Sequence, residues 1–359
     1  MRKEAILYVH GSDCIVKNDA LNRLMDSFTN ANTFADIEIS DTIDKNTGEQ
    51  VKKVRVNYYG SDVQKEFYVY EVFWGDLKVT FDEQRPLQRF IKSSGLILYW
   101  LFSKIWGGVF TTPKLAFPMI ISMALMITWN ISLSLMLVGE LKTFIAEKYP
   151  DFLADEKVHR IIEFITTWGI IESIIDFSWI FWGVSTLILA LFPVGKIVAM
   201  AHFVRNYLQD KSLRSNLRER IITAFKNLDN DIEFDRVLVL AHSFGSVITT
   251  EFLSHHQIPI QQSNLRVITL GAAFRFVSYR ENWVKQMLFK AQSYPGIQSW
   301  KDYFSHKDWL CTRSPKTSET NTFESIELDH PVPLKEQVNG TSHQMYFEEE
   351  EVLKDILSA

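Results

Sequence analysis

The stretch VLVLAHSFGSVITTEFL, residues 237–253, decides the fold that we expect for this chain. It begins with a run of apolar residues, as in a buried strand, and it ends with a segment that has the length and composition of a helix. Ser243 lies at the junction, with the small residues Ala241 and Gly245 two positions before and after it. A serine with such neighbours fits a very tight strand-to-helix turn, which projects its hydroxyl from the carboxyl end of the strand. The pattern therefore indicates a nucleophile; the alternative is a serine that only caps the helix.

Strands and helices alternate on both sides of this stretch. Strands are predicted at 4–13, 65–76, 234–243, 265–272 and 297–304, and a hairpin is predicted over 34–59. Helices are predicted at 18–28, over a long stretch from 204 to 230, and after Ser243. A solvated helix start is predicted at 347–356. Such alternation predicts an α/β fold with a mostly parallel sheet flanked by helices.

Composition excludes several classes of protein. The chain has 359 residues, of which 47% are hydrophobic and 23% charged, so it is neither disordered nor fibrous. Its formal net charge of −5 gives no basic field for a nucleic-acid partner. Its two cysteines, Cys14 and Cys311, form neither a disulfide framework nor a zinc pattern. We expect no cofactor and no metal.

Two runs without a charged residue, 115–138 and 177–195, lie between the early strands and Ser243. A helix needs about 20 apolar residues to cross a bilayer, so both runs are predicted to span a membrane. A third apolar run, 94–112, contains Lys104 and a glycine pair, and it is expected to be interfacial or re-entrant. The alternative is a soluble protein in which these runs form a lid or buried helices.

The charges around the two runs predict an orientation. In 139–176, between the runs, acidic residues outnumber basic ones, whereas basic residues cluster outside the pair: Arg85, Arg89, Lys92, Lys104, Lys114, Lys196, Arg205, Lys211, Arg214, Arg218 and Arg220. The positive-inside rule then places both termini and the domain that carries Ser243 in the cytoplasm, in an integral, multi-pass membrane protein. Residues 1–84 and 201–359 would form one catalytic domain, interrupted by a membrane insertion at 85–200.

The segment AHSFGS, 241–246, resembles the serine turn of the α/β-hydrolase superfamily, in particular its lipases and esterases. The segment LYVHG, 7–11, is similar to the strand and His-Gly loop that supply part of the oxyanion hole in that family. The resemblance covers 1–84 and about 201–359, and it departs from the family pattern in having alanine at position 241. It implies oxyanion donors at the backbone N–H of Phe244 and in the loop Gly11-Ser12.

The order of the family's triad, Ser then acid then His, implies the other two members. Asp308 is the preferred acid because it follows the predicted strand 297–304, whereas the alternative, Asp302, lies inside that strand. His343 is the preferred base because it lies in a polar loop before a helix and resembles the family's His-x-x-Tyr ending. His330 is the alternative base; the prolines around it indicate a rigid turn.

These features predict a membrane-anchored serine hydrolase that cleaves acyl esters through an acyl-enzyme on the triad Ser243, His343 and Asp308. Lipids are the expected substrates because the insertion would hold the catalytic domain at a bilayer. One alternative is a membrane scaffold that keeps the fold without activity, although the complete set of triad residues argues against it. The other alternative, a two-span channel component, is disfavoured because the runs carry no ionisable residue.

Overall fold

In the computed structural model, the described residues are 2–29, 33–44, 48–78, 86–104, 123–134, 194–228, 232–255, 265–308, 313–317, 321–329, 331–333 and 340–358, with a few isolated positions between them. The chain divides into two compact units. The first comprises Met1–Thr80, Lys104–Thr112 and His202–Ala359, and the second comprises Phe81–Ser103 and Pro113–Ala201.

The first unit contains an eight-stranded sheet with the order β2-β3-β4-β1-β5-β6-β7-β8. The strands are β1 (Arg2–Val9), β2 (Ala35–Ile43), β3 (Gln50–Tyr58), β4 (Gln64–Glu71), β5 (Arg236–His242), β6 (Leu265–Leu270), β7 (Ile297–Phe304) and β8 (Phe323–Glu327). From β4 to β8 all neighbouring strands pair in parallel, while β2-β3 and β3-β4 are antiparallel. The predicted α/β fold with a mostly parallel, helix-flanked sheet is confirmed.

The central strands show why the sheet forms here. In β1 and β5 nearly every side chain is buried, as expected for parallel strands covered on both faces. In β2 and β3 burial alternates along the strand, so one face of this edge hairpin is solvated. The parallel strands all end at one edge of the sheet, and the turn after β5 places Ser243 at that edge.

Helices flank the sheet and connect its strands. The helices of the first unit include α1 (Asp19–Thr29), α4 (Lys211–Lys226), α5 (Phe244–Ser254), α6 (Phe274–Arg280), α7 (Asn282–Gln292) and α8 (Glu350–Ser358). α2 (Pro86–Leu101) belongs to the second unit, and α3 (Val194–Gln209) begins in the second unit and ends in the first. Short 3-10 turns occur at Gly75–Leu77, Thr341–His343 and Met345–Glu348. β8, α6 and α7 were not anticipated from the sequence pattern.

The single long helix predicted over 204–230 is wrong, because the chain forms two helices that meet at Asp210. This residue has an extended backbone (φ −100°, ψ 106°), and its carboxylate accepts the N–H groups of Ser212 and Leu213. An aspartate in that conformation is a strong N-cap, which ends α3 and begins α4. The predicted end at Asn230 lies outside the described residues.

The C-terminal helix is more deeply packed than predicted. α8 buries Val352, Leu353, Ile356 and Leu357 in the core cluster that covers one face of the sheet. These residues follow the 3,4 spacing of one helix face, so the acidic residues are left on the other side. The helix, which begins at Glu350, therefore fixes the chain on the C-terminal side of His343.

Within the described residues of the second unit, 123–134 is helical. Ser94 on α2 donates a hydrogen bond to Asn130 (2.9 Å), and the indole of Trp129 donates to Thr186 (3.2 Å). Among the described residues, no helix combines the length and the apolar character needed to cross a bilayer. Of the two predicted spans, 115–138 is described only at Ile120 and 123–134, and most of 177–195 lies outside the described residues.

Candidate active site

Ser243 occupies a strained turn between β5 and α5. Its backbone has φ 56° and ψ −125°, which is a conformation that residues other than glycine rarely adopt. Its N–H donates to the carbonyl of Leu270 at the end of the neighbouring strand β6 (2.8 Å), which links the turn to the sheet edge. The turn is therefore held by its surroundings in a conformation that costs on the order of 1–3 kcal/mol.

Gly245 shows why a small residue must follow the serine. A Cβ at position 245 would lie 2.3 Å from the carbonyl oxygen of Val9 and 2.6 Å from that of His10. Both atoms belong to the backbone at the end of β1, which cannot rotate away. Helix α5 thus begins in direct contact with β1, and only glycine allows this approach.

His343 is hydrogen-bonded to Asp308. The imidazole Nδ1 lies 2.6 Å from Asp308 Oδ2, and both side chains are buried. Asp308 follows the end of β7, whereas His343 is in the 3-10 turn Thr341–His343 that precedes the C-terminal helix. The structure therefore brings together the acid and the base that were preferred from the sequence.

The second ring nitrogen of His343 is available for a substrate or a nucleophile. Among the described residues, including Ser243, His343 Nε2 has no hydrogen-bond partner, although this atom is buried. With Nδ1–H donated to the carboxylate, Nε2 carries a lone pair. Burial alone would lower the pKa of His343, but the charge and the hydrogen bond of Asp308 outweigh burial and raise it above 6.5.

Three contacts place His343 beside the serine turn. A Cβ at Gly271, the residue after the carbonyl that holds Ser243, would lie 3.0 Å from His343 Cε1. The ring of His242, the residue before Ser243, lies 4.9 Å from the His343 ring, centroid to centroid. His242 Nε2 also lies 2.8 Å from the carbonyl oxygen of His343. Ser243 and His343 are therefore neighbours at the same edge of the sheet.

Tyr346 supports the acid. Its hydroxyl donates to Asp308 Oδ2 (2.9 Å) and accepts the backbone N–H of Ser305 (3.2 Å). Tyr346 is completely buried, so these bonds fix the carboxylate against the loop after β7. The histidine-x-x-tyrosine spacing was noted in the sequence, but it did not reveal that the tyrosine contacts the acid.

The loop after β1, which carries the predicted donors Gly11 and Ser12, lies against the serine. A Cβ at Gly11 would be 3.0 Å from Ser243 Cβ. Lys78 holds this loop by donating to the carbonyls of Ser12 and Cys14, the latter at 2.9 Å. The N–H of Phe244, the first residue of α5, has no acceptor within the helix, as is usual at a helix N-terminus. The predicted oxyanion donors therefore belong to two segments, and the Gly11 segment packs against Ser243.

The alternative residues have other places in the structure. Asp302 lies within β7, where it accepts the hydroxyls of Thr269 (2.7 Å) and Ser325 (3.1 Å) and does not contact His343. His10 is fully buried: its Nδ1 bonds the carbonyl of Gly11, and its Nε2 accepts the N–H of Trp74. These contacts give His10 a structural role in the loop after β1. His330 lies outside the described residues.

The sequence pattern did not indicate a role for Asp13. Its carboxylate joins three segments at the rim of the site, that is, around the sheet edge at which Ser243 lies. It pairs with Arg23 of α1 (2.8 Å) and accepts the side-chain amide of Gln344, the residue after His343 (3.2 Å). Burial would raise the pKa of Asp13, but the electrostatic interaction with His242 and the hydrogen bond and charge of the Arg23 guanidinium hold it well below its usual range. Only its position directly after the Gly11-Ser12 loop could have drawn attention to it.

No metal site accompanies this arrangement in the part of the chain that the structure describes, where no group of three or more His, Cys, Asp or Glu residues could hold an ion. Comparison with protein-family models, curated proteins and solved structures found no match. The functional argument therefore rests on the sequence and on the geometry of the site.

The strained backbone of Ser243 predicts that glycine at this position gives a more stable protein than alanine, although alanine is usually the less destabilising substitution. Ser243→Gly and Ser243→Ala both remove the hydroxyl, but only glycine adopts φ 56° without strain. Relief of the strain favours the glycine variant, whereas the greater freedom of glycine in the unfolded chain opposes it. The glycine variant should therefore have the higher free energy of unfolding, by roughly 1 kcal/mol. Denaturant unfolding of both variants measures this difference, and a more stable alanine variant would contradict a strained turn.

Asp302 should govern stability at mildly acidic pH without affecting catalysis. Burial raises the pKa of Asp302 from 3.8 to about 6, so its carboxyl group binds a proton more tightly in the folded chain than in the unfolded chain. The resulting stabilisation, on the order of 3 kcal/mol, is present below about pH 4 and is lost as the pH rises to about 6. Asp302→Asn should remove this pH dependence in denaturant titrations.

The matched variant for Asp302→Asn is Asp308→Asn, which removes the carboxylate that contacts His343. If Asp302→Asn abolished the predicted ester hydrolysis and Asp308→Asn did not, the assignment of the acid would be wrong.

Proposed function

We propose that this chain is a serine hydrolase of the α/β-hydrolase superfamily that cleaves acyl esters through an acyl-enzyme. One observation carries the proposal: Ser243, in a strained turn, lies beside a histidine that is hydrogen-bonded to a buried carboxylate. The histidine donates Nδ1–H to Asp308, and its Nε2 has no hydrogen-bond partner among the described residues. A helix-capping serine would require neither the strain nor the histidine-carboxylate pair. The same two features argue against an inactive scaffold.

Acylation follows from the geometry. His343 Nε2 takes the hydroxyl proton as Ser243 Oγ attacks the ester carbonyl, and the carbonyl electrons move onto oxygen to form a tetrahedral oxyanion. Asp308 keeps the proton of His343 on Nδ1 and stabilises the imidazolium that forms. The imidazolium then protonates the departing alcohol, which leaves the acyl group on Ser243.

Deacylation repeats these steps with water as the nucleophile. His343 Nε2 takes a proton from water, which attacks the acyl-enzyme, and the proton then returns to Ser243 Oγ as the acid is released. The N–H groups of Phe244 and of the Gly11-Ser12 loop would stabilise both oxyanions. Removing one such donor typically costs about 10²–10³ in kcat.

Lipid esters at a membrane surface are the proposed substrates. The support lies in the sequence, where two uncharged runs with flanking basic residues predict a membrane hairpin between the early strands and Ser243. A hairpin inserted there would keep the catalytic domain, with both termini, at the cytoplasmic face. Tethering of this kind raises the local concentration of a bilayer substrate.

Substitution of the three residues tests the chemistry. Ser243→Ala and His343→Ala should each abolish hydrolysis of a p-nitrophenyl ester, whereas Asp308→Asn should retain more activity because the acid only orients and stabilises the base. In the wild type, kcat/KM should rise with pH through a midpoint above 6.5, because the pKa of His343 is raised.

Ser254→Ala, at the other end of α5, is the matched control for this series and should hydrolyse the ester at the wild-type rate. Full activity of a folded Ser243→Ala variant would refute the proposal. Activity that is lost in His330→Ala but kept in His343→Ala would overturn the assignment of the base.

The membrane hairpin predicts both resistance to extraction and a defined topology. Alkaline carbonate should leave the full chain in the membrane fraction, and a cysteine introduced at Asp155 should react with an impermeant maleimide in intact cells. A cysteine at Lys3 should react only after permeabilisation. Release by carbonate without detergent would refute the spans while leaving the hydrolase proposal untouched.

A further inference from the structure

We propose that His242 is a positioning residue for the catalytic base: its Nε2–H holds the main-chain carbonyl of His343, so that the imidazole of His343 stays between Asp308 and Ser243. The inference rests on the proposed hydrolase function. It assigns a specific task to the residue that precedes the nucleophile.

The geometry supports a fixed anchor. His242 is the last residue of β5 and is only 3% exposed, so its backbone belongs to the central part of the sheet. Its Nε2 lies 2.8 Å from the His343 carbonyl oxygen. The Phe347 ring packs on the His242 ring at 5.2 Å and 60°, which restricts the orientation of the imidazole.

The turn that carries His343 depends on contacts of this kind. It is a single 3-10 turn, in which the N–H of His343 donates to Gly340 at 3.2 Å, and such a turn is too short to be rigid by itself. Asp308 fixes the side chain of His343 through Nδ1, and His242 fixes its main chain through the carbonyl. Two bonds at opposite ends of one residue restrict both its position and its rotation.

The bond also sets the tautomer of His242. A carbonyl oxygen only accepts, so Nε2 must carry the proton. Burial, followed by the charge of nearby His343, lowers the pKa of His242 to about 4, so the residue is neutral near pH 7. The titratable groups that face it are His343, Asp13 and Asp308. A neutral donor holds the base without placing a positive charge beside the imidazolium that forms during catalysis.

Two substitutions separate positioning from packing. In His242→Gln, the amide nitrogen is as many bonds from Cβ as the imidazole Nε2 and can donate to the His343 carbonyl. In His242→Asn, the amide is one bond shorter and cannot reach. The measurements are kcat and KM for a p-nitrophenyl ester across pH, together with thermal unfolding of each variant.

We expect His242→Gln to retain kcat within a few-fold and His242→Asn to lose about 10- to 100-fold in kcat with little change in KM, since small displacements of a catalytic group have effects of this size. The acid midpoint of kcat/KM should also shift to lower pH in His242→Asn, because a displaced imidazole is held less closely by Asp308. A residue that only packs would change the amount of folded protein and leave this midpoint in place.

Equal activity of folded Gln and Asn variants, or an unchanged midpoint in His242→Asn, would overturn the proposal. Ser243→Ala is measured in the same assay to distinguish a failure of the positioning role from a failure of the proposed hydrolase function. If it is inactive and the His242 variants behave alike, the positioning role fails while the hydrolase function stands. If it is fully active, the proposed function itself fails.

Discussion

The backbone conformation of Ser243 is the constraint on which the rest of the site depends. A residue with a Cβ is held at φ 56° and ψ −125° only when its surroundings over-determine the turn. Here β5 fixes the chain before the turn, and α5 fixes the chain after it. The N–H of Ser243, bonded to Leu270 of β6, fixes the turn itself. Because the sheet and α5 hold the backbone of Ser243 in this conformation, the turn does not have to rearrange to keep the serine at the edge of the sheet.

The other parts of the site are arranged around this turn through short connections to the same sheet edge. Gly245 allows α5 to begin against the end of β1, which brings the Gly11-Ser12 loop onto the serine. The loop after β7 supplies Asp308, and Tyr346 holds that carboxylate in place. α8 begins at Glu350 and packs into the core, so it anchors the chain on the C-terminal side of His343.

The turn and the parallel strands were predictable because each depends on local sequence. Apolar runs set the strands, and the small residues beside Ser243 identify a turn that no larger side chain could fill. Asp308 was separable from Asp302 because a strand boundary could be estimated, and the structure places Asp302 within β7. The junction at Asp210 was missed because its helical spacing continues on both sides, and only the cap conformation reveals the break.

Contacts between distant segments were not predictable from the chain alone. The bond from Tyr346 to Asp308 and the bond from His242 to the His343 carbonyl join residues 38 and 101 positions apart. Nor could the sequence show that Asp13 joins Arg23 to Gln344, because that contact requires α1 and the C-terminal turn to meet at the rim. Such contacts follow from the completed sheet.

The central claim is that Ser243 is a nucleophile activated by His343. The most direct test is to treat the folded chain with a fluorophosphonate, digest it, and locate the covalent adduct by mass spectrometry. The account predicts one adduct, on Ser243, that forms quickly at pH 8 and slowly at pH 5, where His343 is protonated. An adduct on another serine, or no adduct on a folded chain at pH 8, would contradict it.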